Sequence, residues 1–203
     1  MILYFKENPH LLLVLIAVII FTLWLCIKAG VASKKHYNKN ADLMAKIKEE
    51  TQLIKEFAEL SPSLIANADP AKLFKGIGLN LQKRVAKRPD IMAEFNSLTD
   101  EQKSIYALYT VIDDGKDGLS GFFKGCTHPL TDCAKTAVKD ILDSKAAAVF
   151  AKEFNAYDDD NENVSLIPAE INKLDKEFAE LAPIDVICKK AGNYIKENAE
   201  KFL

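Results

Sequence analysis

The residues best suited to chemistry are Cys126, His128 and Cys133, close together in the chain, with Cys188 far downstream. Thiolate and imidazole are the ligands zinc prefers, and structural zinc sites pair them two to four residues apart on both sides. Only one close pair exists here, so the cysteines read as helix and loop thiols and no metal or other cofactor is assigned. A Cys–His nucleophile pair fares no better. His128 is the single histidine of residues 90–203, and neither an orienting acid nor an oxyanion donor can be named beside it. Asp159, Asn161, Asn163, Leu166 and Glu170 fall at calcium-loop positions, yet Val164 stands where such a loop needs glycine for its left-handed turn. Gly76-x-Gly78 lacks the third glycine, the lysine and the preceding strand of a phosphate loop. The chain therefore reads as a non-enzyme without catalytic residues.

The elements that position these residues read as helices. Asn40 is placed to cap a helix from Ala41 to about Leu60, with Leu43, Ile47, Ile54 and Phe57 on one side and Glu50 breaking a heptad. Ser61-Pro62-Ser63 breaks that helix. Asp69-Pro70 opens another through about Lys87, and Ile91 to Asn96 forms a short turn of helix. Thr99-x-x-Gln102 is a capping box, and Gly115 and Gly118 end the helix it starts. Further helices are predicted over Leu119–Lys124, Leu130–Leu142, Ser144–Ala156, Pro168–Leu181 and from Pro183 onward, with Asp158 to Asn163 as a polar loop. No period-2 pattern survives, so the class is all-α.

Leu11 to Ile27 is an apolar run broken only by Thr22. Seventeen helical residues span roughly 26 Å, near the lower limit for a bilayer core. Lys28, Lys34, Lys35 and Lys39 follow it, whereas Lys6 and Glu7 precede it. Lysine-rich flanks stay cytoplasmic. The run is therefore read as an uncleaved single-pass anchor, N-terminus out and C-terminal domain cytoplasmic, in preference to a cleaved signal or a lipoprotein. The odd cysteine count beyond the run, Cys126, Cys133 and Cys188, fits a reducing compartment.

Charge divides the chain. Residues 1–40 hold five lysines and one glutamate, residues 41–89 nine basic and six acidic residues, and residues 90–203 thirteen lysines against 22 acids. Three domains are expected: an anchor with its flank at 1–30, a basic juxtamembrane helical region at 31–89, and an acidic helical domain at 90–203. An acidic domain repels nucleic acid and suits a basic partner.

Two stretches carry a family resemblance. The first is Leu98-Thr99-Asp100-Glu101-Gln102, Tyr106, Tyr109, the glycine-bearing turn Asp113–Gly118, and Leu119-Ser120-Gly121-Phe122-Phe123. The second is Leu174-Asp175-x-x-Phe178-x-x-Leu181, then Tyr194-Ile195-Lys196-Glu197-Asn198 and Phe202. Together they resemble the DNA-mimic protein C-terminal domain family, over roughly Leu98 to the C-terminus. The resemblance implies an all-α bundle with the Phe122-Phe123 turn packed under neighbouring helices, and Tyr106, Gly118, Leu174, Asp175, Phe178, Tyr194 and Ile195 as structural positions. In the founding member, acidic side chains imitate DNA phosphates on a transcription factor's DNA-binding surface, so the implied partner is a basic protein such as a DNA-binding factor.

The expected function is that of a membrane-anchored, cytosolic, protein-binding module, with Asp113, Asp114, Asp117, Asp158, Asp159, Asp160 and Glu162 as an acidic surface. The alternative is a membrane-associated scaffold in which the Ala41–Leu60 helix sets the oligomeric state; a Cys/His metal protein comes third.

Overall fold

A computed structural model describes Phe21, Thr22, Lys28 and residues 41–157 and 164–203. Among these residues the structure is helical, with one isolated antiparallel bridge between Tyr157 and Val164. The all-α expectation fits; the transmembrane helix does not. Among the described residues no helix is long and apolar enough to cross a membrane. The single-pass anchor, and the membrane location with N-terminus out and C-terminal domain cytoplasmic, are therefore not supported. The 17-residue described helix Pro70–Ala86, for one, carries Lys72, Lys75, Lys83 and Arg84, charges that would be stranded in hydrocarbon. Apart from Phe21 and Thr22, the run Leu11–Ile27 lies outside the described residues, as does the loop 158–163.

The chain divides into two compact units, Met1–Glu49 and Glu50–Leu203. In the first, residues 41–49 are helical and Leu43, Met44 and Ile47 are exposed. Among the described residues, the second unit begins with helical residues 50–56 and continues through nine helices: α1 (Pro62–Asn67), α2 (Pro70–Ala86), α3 (Ile91–Asn96), α4 (Asp100–Asp114), α5 (Leu119–Gly125), α6 (Leu130–Ile141), α7 (Ser144–Phe154), α8 (Pro168–Leu181) and α9 (Ile184–Glu197). A 3-10 turn, Ala199–Lys201, follows.

Side-chain caps explain most of the helix starts. Ser61 accepts the Leu64 N–H at 3.2 Å, and Asp69 accepts the Lys72 N–H at 3.0 Å. Both precede a proline at the first helical position, where no N–H is needed. Ser61-Pro62 therefore starts a helix as well as ending the previous one. Thr99 accepts the Gln102 N–H at 3.1 Å while Gln102 Oε1 accepts the Thr99 N–H at 3.3 Å, completing the expected box. Gln102 also donates from Nε2 to the Lys201 carbonyl at 3.1 Å, tying the C-terminal turn to the start of α4.

One core runs through the second unit. The α2–α9 and α4–α6 pairs are its principal packings, so residues 50–89 and 90–203, which differ in charge, share it. Glycines permit its closest approaches. A Cβ on Gly192 of α9 would collide with the Pro70 backbone, and one on Gly76 would overlap the Phe57 ring. Phe57, Phe74, Phe122, Phe123 and Phe150 are almost wholly buried. Each buries an area worth about 3 kcal/mol of apolar transfer.

Candidate functional site

The α4–α5 turn is the centre of the candidate site. α4 ends at Asp113 and Asp114, and the chain reaches α5 through Gly115 to Gly118. Gly118 stands at the N-cap of α5 with φ of +137°, a conformation that L side chains rarely adopt. Having no side chain, it cannot cap α5. Asp175 of α8 does so from across the fold, accepting the Ser120 N–H at 2.7 Å and the Ser120 hydroxyl at 2.9 Å. A Cβ on Gly118 would lie 2.8 Å from the Asp175 carboxylate. The two stretches behind the family resemblance thus meet at Asp175 and Ser120.

Below this bridge lies an aromatic layer. Phe122 and Phe123 stand edge-on at 5.2 Å between centroids, and Phe123 packs on Phe150 at 5.1 Å and stacks on Tyr157 at 5.2 Å. Phe150 reaches Phe178 of α8 at 5.9 Å. The layer joins α5, α7 and α8.

Above the bridge a groove of about 610 Å³ opens to solvent. Gly115, Lys116 and Gly118 form one edge, while Val111, Leu119, Phe178 and Ile187 contribute its apolar wall. Ile184, half exposed, stands at the lip with Pro183. The rim carries both signs: Lys75 and Lys116 against Asp175 and Asp185. That volume lies within the range of ligand-sized clefts.

Of the expected acidic surface, Asp114 and Asp117 are exposed and Asp113 is half-buried. Exposed Lys116 interrupts them. Asp158, Asp159, Asp160 and Glu162 lie outside the described residues. Of the structural positions, Phe122, Phe123, Leu174, Phe178 and Ile195 are buried, and Tyr106 and Tyr194 are half-buried. Tyr106 packs on Phe95 at 5.7 Å.

The cysteines and histidine take other partners. Cys126 donates to Asp114 Oδ2 at 3.5 Å, and burial together with that carboxylate pushes its thiol up to about 12. Such a thiol carries little nucleophilic thiolate at neutral pH. His128 Nδ1 pairs with Asp132, and its ring meets Phe154 edge-on. Cys188 is buried in α9 at the groove, its thiol pushed up mainly by burial. Among the described residues no group of three or more His, Cys, Asp or Glu is placed to hold a metal ion. Of the calcium-loop positions, Leu166 is half-buried, and Glu170 accepts the Ile167 N–H at 3.3 Å and so serves the start of α8.

One buried acid escapes the pattern reading. Glu153 of α7 is fully buried, and neither carboxylate oxygen has a hydrogen-bond partner among the described residues. Its position was signalled by spacing: Ala146, Val149, Phe150, Glu153 and Tyr157 follow one helical face, and all are buried.

No family model, no curated protein and no solved structure matches the chain.

Proposed function

We propose that the chain is a non-enzymatic helical protein-binding module. Its groove takes the apolar face of a partner segment, and Asp113, Asp114 and Asp117 meet that partner's basic residues. The single observation that carries this reading is the continuity of the acidic turn with the groove edge. Gly115, Lys116 and Gly118 line the groove, and Asp114 and Asp117 are exposed within the same turn. An apolar wall supplies affinity, while flanking charge supplies rate and selectivity. The mixed rim, with Lys75 and Lys116 among the aspartates, favours a protein segment of patterned charge over a uniformly basic ligand. The resemblance to the DNA-mimic domain supports the same partner chemistry, a basic protein such as a DNA-binding factor.

The test uses the full chain as bait at low and high salt, beside an Asp113→Asn/Asp114→Asn/Asp117→Asn variant. Recovery of basic partners that are lost in high salt and with the variant supports the reading. Partners indifferent to both contradict it.

A second reading rests on the first unit. Leu43, Met44 and Ile47 are exposed along helical residues 41–49, which supports a scaffold that self-associates through this segment. Sedimentation of the full chain and a Leu43→Lys/Ile47→Lys variant separates the two readings: an oligomer that the variant dissolves favours the scaffold.

A further inference from the structure

Glu153 is fully buried with both carboxylate oxygens unpartnered among the described residues, and the buried Tyr157 hydroxyl is unpartnered too. An isolated carboxylate in such surroundings is costly, whereas a neutral acid is tolerated. Burial, with a smaller contribution from Asp175, pushes the Glu153 carboxyl up to about 8. The charges acting on it come from both sides of α7. Asp175 on α8 opposes ionisation and Lys124 on α5, exposed to solvent, favours it. α6 also packs on α7; it turns Lys135 over the Phe154 ring and Asp132 onto His128. Tyr157, at the end of α7, has its hydroxyl pushed up to about 12, first by burial and then by Glu153 and Asp175. It therefore remains a neutral phenol when Glu153 ionises.

The same Asp175 holds the first turn of α5 through Ser120 and stands at the groove. A second negative charge on Glu153 thus acts against the very group that joins α5 to α8. The Phe123–Phe150 contact at 5.1 Å and the Phe123–Tyr157 stack at 5.2 Å are the seams that would part.

We infer that Glu153 is a proton-controlled latch: its neutral acid lets α5, α7 and α8 close over it, and loss of the proton loosens α5 and the groove edge that α5 carries. The latch concerns the protonation of this layer and stands whether or not the groove takes a protein partner.

Hydrogen exchange on the full chain, corrected for the intrinsic pH dependence of amide exchange, reads the opening directly. Protection of the α5 amides, including Cys126 N–H bonded to the Phe122 carbonyl, should fall by about tenfold or more between about pH 6 and about pH 9, while α2 and α9, which open only with the whole unit, stay the more strongly protected at every pH. The Glu153→Gln variant, neutral throughout, should show no such fall, and Glu153→Leu provides the same control if the amide variant does not fold. A wild-type α5 profile that stays flat overturns the latch. So does α5 protection no weaker than that of α2 and α9, or a fall that either variant reproduces.

Discussion

Asp175 and Ser120, 55 residues apart in sequence, are joined by two hydrogen bonds at 2.7 and 2.9 Å, through which α8 caps α5 in place of the side chain Gly118 lacks. The bridge fixes the boundary between the aromatic layer below and the groove above. Replacing Asp175 with Ala should cost about 1.5–3 kcal/mol, the range for hydrogen bonds to charged groups. Replacement with Asn, which keeps an acceptor, should cost less. Denaturant unfolding of the two variants measures the difference, and equal losses would show that a neutral amide of the same size cannot stand in for the carboxylate.

Gly192 and Gly125 make a matched pair. A Cβ at Gly192 meets the Pro70 backbone, which cannot rotate aside, whereas a Cβ at Gly125 meets nothing within 4 Å. Gly192→Ala should therefore destabilise the second unit by about 1–3 kcal/mol or more. Gly125→Ala should be near neutral or slightly stabilising, by up to about 1 kcal/mol. Melting curves of both variants give the comparison.

Thr99 closes the capping box of α4 beside the Lys201 carbonyl. Thr99→Ala should lose about 1 kcal/mol, and Thr99→Ser should retain most of it. Full stability in the Ala variant would mean that Gln102 alone holds the helix start.

Stability should also depend on pH through Glu153, whose folded value of about 8 lies above its ordinary 4.5. Between those values the folded chain keeps a proton that the unfolded chain has released. This group's contribution therefore falls as pH rises through the window, by up to about 1.4 kcal/mol per pH unit, and levels off above about 8. Glu153→Gln should remove that slope. Unfolding at several pH values checks the sign; a wild-type advantage that grows from about pH 5 to about pH 8 would contradict it.

What the chain reveals on inspection is what depends on neighbours in sequence. Asp69-Pro70, the Thr99–Gln102 box and the span Pro168–Leu181 each declare a helix through local hydrogen bonding and proline geometry, and each forms where expected. Ser61-Pro62 carries the same signal as Asp69-Pro70 yet reads as a mere break, because a six-residue helix leaves little periodic pattern. The Asp175–Ser120 bridge has no local signature, since both partners are ordinary polar helix residues until α8 is laid against α5. Glu153 was legible in principle: it falls on the apolar stripe of α7, where a solvated acid has no reason to be. The acidic surface was legible as composition but not as geometry, because Lys75 and Lys116 share the groove rim with Asp175 and Asp185, outside the expected set, only after folding.

The proposed role rests on the groove edge and the acidic turn acting together. The most direct measurement is the affinity of the full chain for an amphipathic helical peptide with an apolar stripe flanked by lysine and arginine, followed across a salt series. Wild-type binding should weaken steadily with salt, and the Asp113→Asn/Asp114→Asn/Asp117→Asn variant should bind more weakly at low salt with a shallower dependence. Absence of binding at low salt, or equal affinity and equal salt dependence for the two chains, would contradict the account.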